Sequence, residues 1–352
     1  MKINILQLIT GLGMGGAEKV VLDLATYTSK NDFNTFVVSM SKKEELLDSF
    51  IHNNINTTIL RTSNSLIDFF HILWSIHKFI KMHNIQIIHA HMTHPIIVAS
   101  ILKLFHPSLK IVYTSHNLFI GSRLRELIVF LLKPFRDIDI VFSKDILKFF
   151  YKKNHRVIPN GIKVESSPLA VKQNEKFTFL AIGRLEIEKN HKFLIEIAKN
   201  LQNKYDFEIH IVGEGSLKDE LNDLINKYNL KNIKLLGLKK DIPNLLHQSH
   251  CLVMPSLWEG LPIVILEAGA NSLPIISTPV GSIPSLLNNE NSYLSKLDDF
   301  EESMISVLED YSSAKQKSIT LLEDIKKTYA IESVISEHEK IYKLLKGVKI
   351  PS

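Results

Sequence analysis

The chain has little cysteine, little tryptophan and no long apolar run. Its single cysteine, Cys251, can form no internal disulfide, which rules out a disulfide-framed fold and suits a reducing compartment. The longest uninterrupted apolar stretches, such as Leu127 to Leu132, fall far short of the ~18–20 residues that span a bilayer, so nothing in the sequence is expected to cross a membrane. The opening apolar run, Ile3 to Ile9, follows one lysine and stops at Thr10-Gly11 without a small-residue cleavage site. It reads as a strand and not as an export signal. Low-complexity tracts and short-period repeats are missing too. What is present is ordinary for a globular protein: 45% hydrophobic and 22% charged residues over 352 positions, which excludes disordered, collagen-like and coiled-coil classes and suits two domains.

The net charge of +5 is unevenly placed. Residues 1–165 carry 20 basic and 12 acidic side chains, whereas the remainder carries 22 and 25. Residues 103–156 alone hold 11 basic against 4 acidic, interleaved with Phe105, Phe130, Phe135, Phe149, Phe150 and Tyr151. Basic and aromatic residues on helical segments suit an anionic membrane surface. A solvated helical face with its apolar side in the core is the competing account. No nucleic-acid partner is indicated.

Short β-branched runs alternate with amphipathic stretches, the pattern of parallel sheets covered by helices. One series runs from Ile3–Ile9 to Arg156–Ile158; a second runs from Phe177–Ile182 to Pro274–Ser277. Two series imply two doubly wound domains, 1–165 and 166–330. The boundary should lie in Pro159–Gln173, where proline, Asn-Gly and paired serines cluster. Ser312–Leu345 reads as helical and polar, able to pack anywhere on the outside, with 331–352 as a C-terminal helix free to pack back on the N-terminal domain. Because ligands bind beyond the carboxyl ends of parallel strands, the strand-to-helix junctions are where chemistry should be sought.

The first junction, Gly11-Leu12-Gly13-Met14-Gly15-Gly16, satisfies G-x-G-x-x-G in dinucleotide-binding context. An NAD-dependent oxidoreductase is therefore a rival reading. That reading also needs a carboxylate at the end of the second strand, but Val37-Val38-Ser39-Met40-Ser41-Lys42 supplies none. The loop, with Gly15 and Gly16 at a helix N-terminus, suits a phosphate or other oxyanion; a plain tight turn is the alternative.

The second half is richer. Gly183-Arg184-Leu185-Glu186-Ile187-Glu188-Lys189 sets a guanidinium and an ammonium beyond a strand end, as an oligophosphate requires. Pro255 to Ala268 follows another strand. Within it, Pro262 reads as a first helical residue, leaving amides near Gly260 and Leu261 facing an anion. Glu259 precedes that helix. Glu267 lies inside it on an otherwise apolar stretch, where a carboxylate needs a partner such as a diol. Gly213-Glu214-Gly215-Ser216 follows a strand and reads either as a nucleotide contact or as a plain turn.

Taken together, Gly15-Gly16-Ala17-Glu18, Asn160-Gly161-Ile162, Gly-Arg-Leu with Glu-Lys-Asn, and Glu259-x7-Glu267 resemble the retaining glycosyltransferases of family 4 along essentially the whole chain. The resemblance implies the GT-B fold, two Rossmann-like α/β domains facing across a cleft: an acceptor domain, a donor domain and a C-terminal helix. It implies that Arg184 and Lys189, with Gly260 and Leu261, hold the donor diphosphate, with Gly15 and Gly16 closing over it. Glu267 would hold the ribose, with Gly213 and Gly215 near the nucleotide. Glu259 would touch the transferred sugar, and His116 would stand beside it. Ser282, Ser285 and Ser292 depart from the family's usual residues.

The expectation is a retaining, metal-independent hexosyltransferase with no cofactor beyond a nucleotide-diphosphate sugar, UDP above all. It would act on a glycan or polyprenyl-diphosphate-linked acceptor in bacterial polysaccharide synthesis, cytoplasmic and peripheral on the inner membrane through residues 103–156. A sugar-nucleotide epimerase shares the two-domain form and stays open. His89-Ala90-His91-Met92-Thr93-His94 has metal-like spacing but no completing ligands, and Asp137-Ile138-Asp139 mimics a metal motif at the start of a strand.

Overall fold

The computed structural model describes residues 2–62, 65–116, 122–142, 147–164, 173–239, 241–260 and 262–348. The chain divides into two compact units, Met1–Gly161 with Ile331–Ser352, and Ile162–Ala330.

In the first unit the strands are β1 (Ile3–Ile9), β2 (Phe33–Ser41), β3 (Asn56–Thr62), β4 (Ile87–His91), β5 (Lys110–Thr114), β6 (Ile138–Val141) and β7 (His155–Val157). They pair in parallel in the order β3-β2-β1-β4-β5-β6-β7. The connecting helices are α1 (Gly16–Tyr27), α2 (Leu47–His52), α3 (Leu66–Met82), α4 (Thr93–Phe105) and α5 (Arg123–Leu131). Both faces of the inner strands are covered, hence their near-continuous apolar runs. Ser65 and Ser122 cap α3 and α5 by accepting from the amides of Asp68 and Arg125.

The second unit repeats the plan with β8 (Phe177–Ile182), β9 (Phe207–Val212), β10 (Ile233–Leu235), β11 (Cys251–Met254), β12 (Ile275–Ser277) and β13 (Tyr293–Leu294). Their order is β10-β9-β8-β11-β12-β13, again all parallel. Helices α6 (His191–Leu201), α7 (Lys218–Lys227), α8 (Ile242–Gln248), α9 (Ile263–Ala270), α10 (Leu297–Glu309) and α11 (Tyr311–Thr328) complete it. Strand order reverses between β1 and β4 in one sheet and between β8 and β11 in the other. Those two switch points are where open α/β sheets bind ligands.

The polar helical stretch Ser312–Leu345 is two helices: α11 ends at Thr328, and α12 (Ile331–Leu345) begins after a break at Tyr329-Ala330. The Ile162 amide donates to Tyr329 O at 2.8 Å and Ile162 bridges Ala330, a pairing with a distant segment that helical periodicity cannot register. Pro262 is the N-cap of α9 and not its first helical residue. Helix α12 packs Val334, Ile341 and Tyr342 onto Ile3, Ile5, Ile87, Val112, Ile138 and Ile140 of the first sheet. Gly161 sits so close to it that a Cβ would meet Ile331 at 2.8 Å. Among the described residues no helix is long and apolar enough to cross a membrane.

Candidate active site

At the switch point of the second sheet, the loop after β8 is built on backbone bonds. Gly183 N donates to Val212 O and Leu185 N to Glu214 O, both at 3.0 Å. Gly213 has φ +149°, and a Cβ there would lie 1.9 Å from Gly183 O; one at Gly215 would lie 2.4 Å from Leu185 O. The two glycines are thus spacers that let the loop after β9 lie against the loop after β8. A short 3₁₀ turn, Ile187–Lys189, then leads to Asn190, whose φ of +54° suits asparagine and which caps α6.

The β11–α9 loop is fastened to this one at three points. Asn190 Nδ2 donates to Pro255 O at 3.1 Å, Leu257 N donates to Glu188 O at 2.8 Å, and Lys189 Nζ donates to Glu259 Oε1. Glu259 is 9% exposed and also accepts from Ser256 Oγ at 2.8 Å. Thr278 Oγ1 in turn donates to Ser256 O at 2.6 Å. Ser256 and Thr278 went unnoticed in the sequence because small hydroxyls in loops carry no pattern. Arg184 projects outward, its side chain 73% exposed, with its guanidinium donating to Glu188 Oε1 at 2.5 Å. Gly260 O accepts from Ser282 N at 3.2 Å. Glu267 lies half-buried in α9. Leu261 lies outside the described residues. His191, at the start of α6, is buried; that burial and then the Lys189 charge push its pKa down to about 4, so it is neutral.

The structure therefore brings Arg184, Lys189, Glu188 and Glu259 together, from stretches 70 residues apart in the case of the Lys189–Glu259 pair. The arrangement offers one solvent-facing guanidinium and one ammonium already neutralised by a buried carboxylate. It can exchange that carboxylate for phosphate oxygens, leaving Glu259 held by the Ser256 hydroxyl.

In the first unit, Gly15 is the N-cap of α1 and Gly16 its first residue. A Cβ on Gly15 would lie 2.5 Å from Glu18 Oε2, so the Glu18 carboxylate itself rests at the positive end of the helix. Leu12 anchors the loop by donating to Lys43 O at 2.9 Å and accepting from Leu46 N at 3.0 Å. His116 follows β5 with φ +62°. Its Nε2 is 2.8 Å from His91 Nδ1, and His91 Nε2 is 2.8 Å from Gln7 Oε1. Burial, then the charge of His338, pushes the His116 pKa down to about 3. His89 and His91 are driven well below the ordinary value, chiefly by burial.

The metal-like motifs are spent on structure. His89 bonds Tyr342 and Thr114; Asp137 pairs with Lys103 at 2.6 Å and Lys110 at 3.3 Å; Asp139 sits 3.3 Å from the buried Arg136. Among the described residues no three His, Cys, Asp or Glu side chains gather as a metal would require.

Residues 14–166 match the model of Glycosyltransferase Family 4, and residues 165–320 match that of glycosyl transferases group 1. The chain belongs to glycosyltransferase family 4. A UDP-Gal:alpha-D-GlcNAc-diphosphoundecaprenol alpha-1,3-galactosyltransferase of Escherichia coli is 29% identical over 305 residues, 77% of this chain and 77% of that one. An uncharacterized glycosyltransferase of Methanocaldococcus jannaschii, MJ1059, is 38% identical over 151 residues, 39% of this chain and 37% of the relative. The fold is that of Anabaena HepE in its UDP-glucose complex: TM-score 0.84 at 17% identity, covering 97% of this chain and all of that one. The GT-B fold class expected from the sequence is thus the observed one, and the chain is a glycosyltransferase. Nothing in these matches supports the epimerase reading.

Proposed function

We propose that this family 4 glycosyltransferase moves a hexose or N-acetylhexosamine, with retention, from a UDP-linked donor to a glycan or polyprenyl-diphosphate-linked acceptor in bacterial polysaccharide synthesis, without a divalent metal. The observation that carries the reading is the junction of the two loops at the β8/β11 switch point, where Arg184 and Lys189 meet Glu188 and Glu259. Departure of a nucleoside diphosphate develops negative charge on its phosphates. A guanidinium, an ammonium and the amides at the start of α9 are the groups that stabilise such charge. Glu267 would accept from the ribose hydroxyls. When the diphosphate takes Lys189, Glu259 is released toward the sugar. His116 is the residue of the first unit assigned to the reacting sugar, holding it or moving a proton.

The E. coli relative's name supports a UDP-sugar and a lipid-diphosphate acceptor. The lipid-linked acceptor is also supported by exposed apolar side chains on three helices: Ile67, Phe70, Trp74 and Met82 on α3, Leu104 and Phe105 at the end of α4, and Leu124 and Leu131 on α5. Lys78 lies over the Trp74 ring, and Arg123, Arg125 and Lys133 lie in and after α5. Such side chains suit the anionic cytoplasmic surface of a membrane. The α3 stripe lies outside residues 103–156. It escaped sequence reading because apolar residues on every side of a helix suggest deep burial.

A thermal-shift screen of uridine, guanosine and adenosine diphosphates and their sugars, with and without excess chelator, tests the proposal. UDP and a UDP-sugar should raise the melting temperature, with turnover unaffected by the chelator. No shift with any of them would sink it.

A further inference from the structure

Six side chains of the first unit form one unbroken hydrogen-bonded chain, and only its end, His116, figures in the reaction. The period-2 alternation of β1, β4 and β5 that turns Ile3, Ile5, Ile87 and Val112 into the core under α12 also turns Gln7, His89, His91 and Thr114 to that face. Parallel register sets Gln7 beside His89 and His91 beside Thr114. Helix α12 closes the chain with Tyr342, whose Oη lies 2.8 Å from His89 Nδ1 and 3.3 Å from Gln7 Nε2. His89 Nε2 reaches Thr114 Oγ1 at 2.8 Å.

Every bond in this chain has a direction. With His89, His91 and His116 neutral, each ring has one N–H and one bare nitrogen. Gln7 Oε1 can only accept, so His91 Nε2 donates to it, and His91 Nδ1 is bare. His116 Nε2 must therefore donate to His91 Nδ1, leaving His116 Nδ1 as an acceptor. On the other side Gln7 Nε2 donates to Tyr342, Tyr342 to His89 Nδ1, and His89 Nε2 to Thr114. Among the described residues His116 Nδ1 has no hydrogen-bond partner, and His116 as a residue is only half-buried. Its backbone holds a left-handed φ of +62°, a conformation that a non-glycine residue keeps only when its surroundings enforce it.

We propose that Gln7, His91 and Tyr342 are positioning residues that lock His116 as its Nε2–H tautomer, so that Nδ1 is presented to accept a hydrogen bond from a sugar hydroxyl of the substrate. The inference rests on the reading of His116 as the residue beside the reacting sugar. It makes the last helix, more than 200 positions downstream of His116, part of the catalytic apparatus. It also makes the Gln7 amide the element that sets polarity, since turning that amide over would reverse all five bonds and put the proton on Nδ1.

The test uses the full chain labelled with ¹⁵N-histidine. Two-bond ¹⁵N–¹H spectra should show His91 and His116 as neutral Nε2–H tautomers; a His116 protonated at Nδ1 overturns the proposal. Gln7→Leu removes the acceptor and should mix the tautomers at His116, lowering kcat by about tenfold while the donor KM stays within about twofold. Gln7→Glu keeps an acceptor that cannot turn over and should restore both tautomer and kcat. Equal behaviour of the Leu and Glu variants would reduce Gln7 to packing. Tyr342→Phe keeps the ring and removes the hydroxyl, so it reads the same tautomer shift if Gln7→Leu does not fold; an unchanged spectrum and kcat there would overturn the role of Tyr342. Release of nucleoside diphosphate by His116→Ala at the native rate would instead remove His116 from the reaction. The tautomer spectra distinguish that failure from failure of the network.

Discussion

The Lys189 ammonium donates to the Glu259 carboxylate, and both side chains are largely shielded from water, at 17% and 9% exposure. A buried pair of this kind is costly to break because the survivor keeps its charge without its partner. Lys189→Met should therefore lower unfolding free energy by about 3 kcal/mol, and Lys189→Met with Glu259→Gln should recover much of it. Urea titrations of the three proteins decide the matter. A single variant as stable as the parent would mean that the pair contributes nothing.

Arg184 presents the opposite case. Its pair with Glu188 is solvent-facing, so Arg184→Ala should change stability by no more than about 0.5 kcal/mol. UDP affinity should nevertheless fall about 10- to 150-fold, the loss of one charge-assisted contact, and Glu267→Ala should weaken it by a similar factor. Calorimetric titration with UDP separates the two effects. Undiminished binding by both variants would displace the donor site from this junction.

Gly213→Ala should be among the most damaging small changes in the molecule. Its new methyl would fall 1.9 Å from Gly183 O at a backbone φ of +149°, so the loop carrying Arg184 must move. A drop of at least about 2 kcal/mol in stability, together with weakened UDP binding, is expected. Retention of both would mean that the two loops are not in close register.

Acid should loosen the first unit before carboxylate titration begins. His116 and His338 have folded-state pKa values pushed down to about 3 and about 4, and His89 and His91 are also well depressed, from an ordinary 6.5. The unfolded chain therefore binds more protons below pH ~6.5. The stability these neutral histidines support is whole above that value and declines as pH falls toward the folded-state values, by about 1.4 kcal/mol per pH unit for each. Urea midpoints at pH 7.5, 6.5 and 5.5 should drop most steeply over the last interval. A flat profile would contradict the buried neutral assignment.

The exposed apolar side chains of α3 to α5 should carry membrane attachment. Sedimentation with phosphatidylglycerol-containing vesicles at low salt should be lost in Phe70→Glu with Trp74→Glu and weakened by raised salt, with little change in melting temperature. Failure of the parent protein to sediment would dissociate it from lipid.

Much of this molecule was readable from local pattern. Strand limits such as Ile3–Ile9, Phe177–Ile182 and Phe207–Val212 coincide with the observed ones, because short runs rich in β-branched and aromatic residues, bounded by turn residues, mark buried strands. The loops bearing Arg184, Lys189 and Glu259 were legible because parallel sheets put their chemistry at strand ends. The bridge from Ile162 to Ala330 was not, since it joins segments that no helical window spans.

By itself, then, the amino-acid order settled the two α/β series, the family and the residues with chemistry to offer, all of which depend on neighbours a few positions apart. Which of those residues meet was decided only by folding. Lys189 pairs with Glu259 because β8 and β11 are adjacent in the sheet, and His116 is tied to Tyr342 through His91 and Gln7 because α12 lies on the face those strands present. Contacts between distant segments depend on strand order and register, and no local window of sequence encodes either.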